Sequence, residues 1–186
     1  MRELTVLAFA DLHSPDSFVL PEYGSIGFDV VVTLGDIPLG LIERILHYAG
    51  NRPCLGIAGN HDPQEIPGIL NLHRQTVVVQ GVKFGGFGGA PRYKRAPNHY
   101  TEFQVARGMI LMPKVDVFLS HAPPRVTSCN EGRLHRGFRA FDLYLKRQNP
   151  GWWFHGHLSQ QSTCSVGQTT VCGVHEQRLM RIRIPD

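Results

Sequence analysis

Five times along this chain a short apolar run, rich in β-branched residues, ends in a side chain that an apolar core would not choose. "TVLAFA" runs into Asp11-x-His13, "VVVTLG" into Asp36, "LGIAG" into Asn60-His61-Asp62, "VFLS" into His121 and "WWF" into His155-x-His157. Short runs of this kind, separated by helical or loop material, mark parallel strands buried on both faces. In open α/β sheets the loops outside the carboxyl ends of the strands converge, and ligands bind there. The pattern therefore predicts one sheet edge at which Asp, Asn and His side chains meet.

Strands are expected over 4–10, 29–34, 53–58, 115–120 and 152–156. Helices are expected over 38–49, 101–112 and 136–148, the last with Phe138, Phe141, Leu143 and Leu145 on mixed faces. "TVVVQGVKFGGFGG" (76–89) predicts a hairpin turning at Gln-Gly, and the final series "STCSVGQ", "TTVCGV" and "RLMRIRI" alternates like antiparallel strands. Two kinds of strand pattern within 186 residues predict a sandwich of two mixed sheets with helices outside, in one domain spanning 1–186.

Several classes are excluded. Arg2 precedes an apolar run ending in Ala8-Phe9-Ala10, but this is shorter than the ~15–30 residues of a secretion signal. No apolar run approaches the ~18–20 residues that cross a bilayer, so no membrane partner is expected. Cys54, Cys129, Cys164 and Cys172 form no C-x-x-C pair, which argues for reduced thiols and a cytoplasmic protein. Charge is uneven: residues 1–70 carry three Lys/Arg against nine Asp/Glu, whereas residues 71–186 carry sixteen against six. An acidic half can hold cations while a basic half attracts an anion.

In an extended segment, residues i and i+2 point the same way, so a D-x-H or H-x-H pair can address one metal. Mixed oxygen and imidazole donors suit Mn²⁺, Fe²⁺, Co²⁺ or Zn²⁺, whereas Mg²⁺ and Ca²⁺ prefer oxygen throughout. Two Asp, one Asn and four His are enough for two ions sharing a carboxylate, about 3.5–4 Å apart.

The ordered series D-x-H, G-D, G-N-H-D, S-H-A-P-P and H-x-H, spread over residues 11 to 157, resembles the calcineurin-like metallophosphoesterases, in particular their small bacterial and archaeal single-domain members. The resemblance implies a four-layer α/β/β/α sandwich and a dinuclear phosphoesterase, in which a metal-activated hydroxide attacks phosphorus. Phosphodiesters are favoured over phosphomonoesters. It also implies that Asp11, His13 and His157 hold the first metal, that Asn60, His121 and His155 hold the second, and that Asp36 bridges them. Manganese is the expected ion, with iron, zinc, cobalt or nickel as alternatives. His61 would face the substrate and protonate the leaving group, a task suited to imidazole, which ordinarily titrates near neutrality. Relatives often carry an acidic residue shortly after G-D; Ile37, Pro38 and Leu39 stand there instead, leaving Asp62 as the nearest candidate to orient His61. Ala10 and Phe154 replace family glycines without touching a donor.

The stretch "GGFGGAPRYKRAPNHY" (85–100) offers Arg92 as a substrate contact, and Arg125, just after His121-Ala122-Pro123-Pro124, is a second. His47, His73, His99 and His175 have no matching context and read as structural; His135 is intermediate. No P-loop order occurs, and basic and aromatic residues do not interleave as in a nucleic-acid module, so a small phosphorylated substrate is expected. The alternatives are a nuclease, or nucleic-acid phosphatase, and a non-catalytic interaction scaffold on the same fold.

Overall fold

The computed structural model describes residues 1–13, 27–127 and 136–185. Its first sheet holds five strands: β1 (Arg2–Ala10), β2 (Val30–Thr33), β3 (Cys54–Gly56), β4 (Leu70–Asn71) and β13 (Glu176–Ile184), in the order β13-β1-β2-β3-β4. The second holds β5 (Thr76–Val79), β6 (Val82–Phe87), β9 (Val117–Ser120), β10 (Trp152–His155), β11 (Ser162–Val166) and β12 (Thr169–Gly173), in the order β11-β12-β10-β9-β6-β5. A small ribbon pairs β7 (Ala90–Pro91) with β8 (His99–Tyr100). Both large sheets are parallel at the centre and antiparallel at one edge or both.

Strand periodicity builds the layers. Leu4, Val6, Ala8 and Ala10 of β1, with Val30 and Val32 of β2, point between the sheets to meet Phe84, Val117, Leu119 and Phe154. Their alternates Leu7, Phe9 and Val31 point outward and pack on α1 (Leu39–Ala49). That helix buries Leu41, Ile42, Ile45 and Ala49, spaced as one helical stripe, and ends at Gly50, whose φ is 61°. On the outer face of the second sheet, Phe118, Trp153 and Val171 pack with residues of α2 (Glu102–Leu111) and α3 (Arg139–Gln148). The order is therefore α1, first sheet, second sheet, then α2 with α3: the expected α/β/β/α sandwich.

The Gln-Gly hairpin forms as expected, with Gln80 and Gly81 at φ 48° and 78°. The final three strands are antiparallel as expected, but they do not share one sheet. β11 and β12 are antiparallel neighbours, but β13 leaves them and pairs with β1 along its whole length, from Arg2 opposite Ile184 to Ala10 opposite Glu176. Alternation along a strand cannot distinguish the two sheets, because both have an apolar inner face.

Candidate metal centre

β1, β2 and β3 run parallel with Phe9 beside Thr33 and Thr33 beside Gly56, so their carboxyl ends lie at one edge. Those ends deliver Asp11, Asp36 and Asn60. In the second sheet His155 is level with Ser120, so β9 and β10 deliver His121, His155 and His157. Ser120, the last residue of β9, is itself fixed: its hydroxyl accepts from Trp153 Nε1 at 2.8 Å and donates to the Ala122 carbonyl at 2.7 Å.

The expected extended D-x-H and H-x-H geometry is not what forms. Asp11, Asp36 and His157 have φ of 53°, 55° and 61°, in the left-handed region. For a non-glycine residue this conformation costs roughly 1–2 kcal/mol, and such outliers gather at functional sites. Here side chain and backbone interlock to hold it. Asp11 Oδ2 accepts the His157 N–H at 2.7 Å, and Asp36 Oδ1 accepts the His61 N–H at 2.9 Å. Two glycines let these turns approach: a Cβ on Gly59 would fall 2.1 Å from Asp36 Oδ1, and one on Gly35 2.3 Å from the Gly59 nitrogen.

His121 lies at the centre of the cluster and is fully buried. Its Nδ1 donates to the Leu34 carbonyl at 2.8 Å, which turns Nε2 toward Asn60 Oδ1 at 3.0 Å and Asp36 Oδ2 at 3.4 Å. A backbone carbonyl also fixes His155, whose Nδ1 donates to that of Gly156 at 3.0 Å and leaves Nε2 without a proton. Fixing the far nitrogen in this way presents the other as a metal ligand. Asp36, His121 and His157 each offer a donor atom within 4.8 Å of the others. Burial opposes charge on Asp36, yet the His121 hydrogen bond and charge, with the His61 N–H, hold its carboxyl at about 2. Burial likewise opposes charge on His121, and Asp36 reverses this, lifting the imidazole to about 9. His121 Nε2, Asn60 Oδ1 and Asp36 Oδ2 thus converge on one point, the position a cation fits. Burial raises Asp11 and pushes His155 down to about 4, so that ring is neutral and able to ligate.

His13 and His61 are exposed and, with Asp36, Asp62 and an apolar lip of Leu12, Ile37, Pro38 and Leu39, line a cleft of about 310 Å³. Asp62 spends its carboxylate on backbone: Oδ2 accepts the N–H groups of Asp36 and Gly59 at 2.7 and 2.8 Å, and Oδ1 that of Ile37 at 3.2 Å. It fastens one donor loop to the next, and among the described residues no hydrogen bond joins it to the His61 ring. The sequence carries a signal for this role, since an Asp three residues after a glycine is a loop-closing pattern. Asn98, at φ 57°, adds a tether by donating to the Asp62 carbonyl at 2.9 Å; sequence reasoning misses it, since nothing in "APNHY" announces the contact.

Arg92 and Arg125 do not line the cleft. Arg92 Nη2 donates to Gln104 Oε1 at 3.1 Å, and Arg125 stands 3.8 Å from Glu102, so both are held at the start of α2. His73 is structural, its Nδ1 accepting the Gly88 N–H at 3.1 Å. His135 and Cys129 lie outside the described residues.

A sequence model described as calcineurin-like phosphoesterase matches residues 4–161. A search of curated proteins finds no match. Among solved structures, the chain is similar to TT1561 of Thermus thermophilus (17% identity, TM-score 0.64, covering 97% of this chain and 98% of that one). It is also similar to the phosphopantetheinyl hydrolase PptH from Mycobacterium tuberculosis (16%, TM-score 0.62, 92% and 89%). A single mutant of Vps29 from Entamoeba histolytica aligns at 16% identity and TM-score 0.51, covering 93% and 74%. At these identities the structural likeness speaks for the fold.

Proposed function

The chain belongs to the calcineurin-like phosphoesterases, and from that premise we propose that it hydrolyses a phosphate ester, a phosphodiester in preference to a monoester, with two divalent cations. Asp11, His13 and His157 would hold one cation, Asn60, His121 and His155 the other, with Asp36 shared. Bound there, divalent cations supply Lewis-acid charge that activates water and neutralises phosphoryl oxygens. The observation that carries this reading is the convergence of His121 Nε2, Asn60 Oδ1 and Asp36 Oδ2, with the His121 tautomer fixed by the Leu34 carbonyl.

The remaining work falls to the cleft. The His61 ring is exposed at its mouth while the His61 backbone is anchored to Asp36, so it can hand a proton to the departing oxygen without loosening a donor. The diester preference is supported by the lining: Leu12, Ile37, Pro38, Leu39 and Pro63 form an apolar lip, and among the described residues that line the cleft no arginine or lysine is present to neutralise the second charge of a monoester. A small ester whose alcohol is partly apolar fits that wall. The free thiols of Cys54, Cys164 and Cys172 support a reducing, cytoplasmic setting.

Metal analysis of the purified protein, combined with turnover of bis(p-nitrophenyl) phosphate and p-nitrophenyl phosphate in Mn²⁺, tests the reading. We expect two metals per chain and faster cleavage of the diester. Two bound metals with no turnover of either ester would end the hydrolase proposal.

A further inference from the structure

The outer faces of the helices are not alike. α1 turns Glu43, Arg44 and His47 outward, as a surface helix should. α2 buries Val105 and Met109, yet its outward positions include Phe103, Ile110 and Leu111, which are 71, 67 and 84% exposed. With Arg107 they fall at i, i+4, i+7 and i+8, one continuous stripe. Leu143 of α3, 68% exposed, stands across from it. Single exposed apolar residues need no explanation, but a cluster of this size marks a contact surface.

Two hollows flank the α2 ridge. Between α2 and α3 runs a groove of about 350 Å³ in which Ala106 and Ala140 are the small residues and Met109, Ile110, Leu143 and Tyr144 supply the apolar lining. Lys146 and Arg147 complete it, and Arg147 is fixed there by donating to the Met109 carbonyl at 2.7 Å. On the other side, a hollow of about 430 Å³ is bounded by Arg74, Phe103, Arg107 and Leu111. Among the described residues, no carboxylate lines either one. This is where part of the positive excess of residues 71–186 is concentrated, away from the cleft and its cations.

We propose that the α2/α3 face docks an acidic amphipathic helix of a partner protein, with its apolar stripe in the groove and its carboxylates over Arg107, Lys146 and Arg147. A helix laid in a groove between two others uses i, i+4, i+7 anchors, and the small side chains of Ala106 and Ala140 allow the close approach. Charge selects the partner. A second copy of this chain meeting the face symmetrically would set Arg107, Lys146 and Arg147 against their own kind. A lipid surface would leave both hollows unfilled.

The test uses the full chain and a fluorescent helical peptide of about five turns, with Leu at i, i+4, i+7 spacing and Glu elsewhere. Fluorescence anisotropy should show saturable binding, weakened roughly tenfold or more by Ile110→Glu or Leu143→Glu and also by Arg107→Glu. Both apolar positions are exposed and outside the cleft, so melting temperature and ester hydrolysis should be unchanged, which keeps this proposal separate from the catalytic one. Equal binding of a Lys-for-Glu peptide, or indifference to all three substitutions, overturns it. So does a dimer in sedimentation that Ile110→Glu dissolves, or binding to phosphatidylserine vesicles in place of the peptide.

Discussion

Around the candidate centre the first sheet brings mainly oxygen and the second nitrogen: Asp36 and Asn60 lie beyond β2 and β3, whereas His121 and His157 lie beyond β9 and β10, with His155 the last residue of β10. The two sides are held by different means. On the oxygen side, tight turns are pinned through backbone N–H groups, by Asp62 above all. On the nitrogen side, ring tautomers are set by the Leu34 and Gly156 carbonyls. A carboxylate has donor atoms on every side and needs its chain placed; an imidazole has two distinct nitrogens and needs its proton placed. Each sheet supplies the constraint its own chemistry lacks.

The contrast is most exposed where the sides touch. Asp36→Asn should lower hydrolysis by more than the roughly 10–100-fold cost of losing an outer partner, with metal per chain falling in elemental analysis. Full metal content would show that the two sides bind independently. His61→Ala should cost about 10²–10⁴-fold in turnover with metal content unaltered, because His61 belongs to neither donor set. Asp62→Ala should leave the rings as they are and strike only the oxygen side. Three backbone N–H groups lose their acceptor, and unfolding free energy should drop by about 3 kcal/mol, read from the urea midpoint. An unchanged midpoint would remove Asp62 from its role as a lock.

The smallest effect concerns a histidine outside the comparison, which serves as its control. Burial, aided by the neighbouring Arg74, holds His73 down at about 4, and its Nδ1 accepts a hydrogen bond that protonation would break. The unfolded chain takes up this proton near ~6.5, so the stabilisation is complete above that pH and is lost as pH falls toward 4. His73→Gln should flatten that part of a stability-against-pH curve. If the slope is unchanged, acid sensitivity originates at the metal edge instead.

Much of this is legible in the sequence. The apolar runs locate the strands that end in donors, because burial on both faces leaves little choice of residue, and the ordered Asp, Asn and His residues identify the edge. What cannot be read is where the chain leaves regularity. Nothing in "ADLH" states that Asp11 turns left-handed, since that conformation is stabilised by His157, far away in sequence. The destination of β13 is hidden for a similar reason: its alternation suits either sheet, and only the free edge of β1 decides. The apolar outer face of α2 is visible as Phe103, Ile110 and Leu111, but a helix count does not tell which face a sheet will cover.

β13 has one more consequence. Its antiparallel pairing with β1 joins residues at opposite ends of the described chain, Arg2 with Ile184, and Asp11 emerges directly from that seam. A nascent or clipped polypeptide lacking 176–184 would keep every donor and still present β1 as a bare edge, open to pairing with another molecule. Cation loading should therefore report on the integrity of the carboxyl-terminal strand, which contributes no ligand of its own.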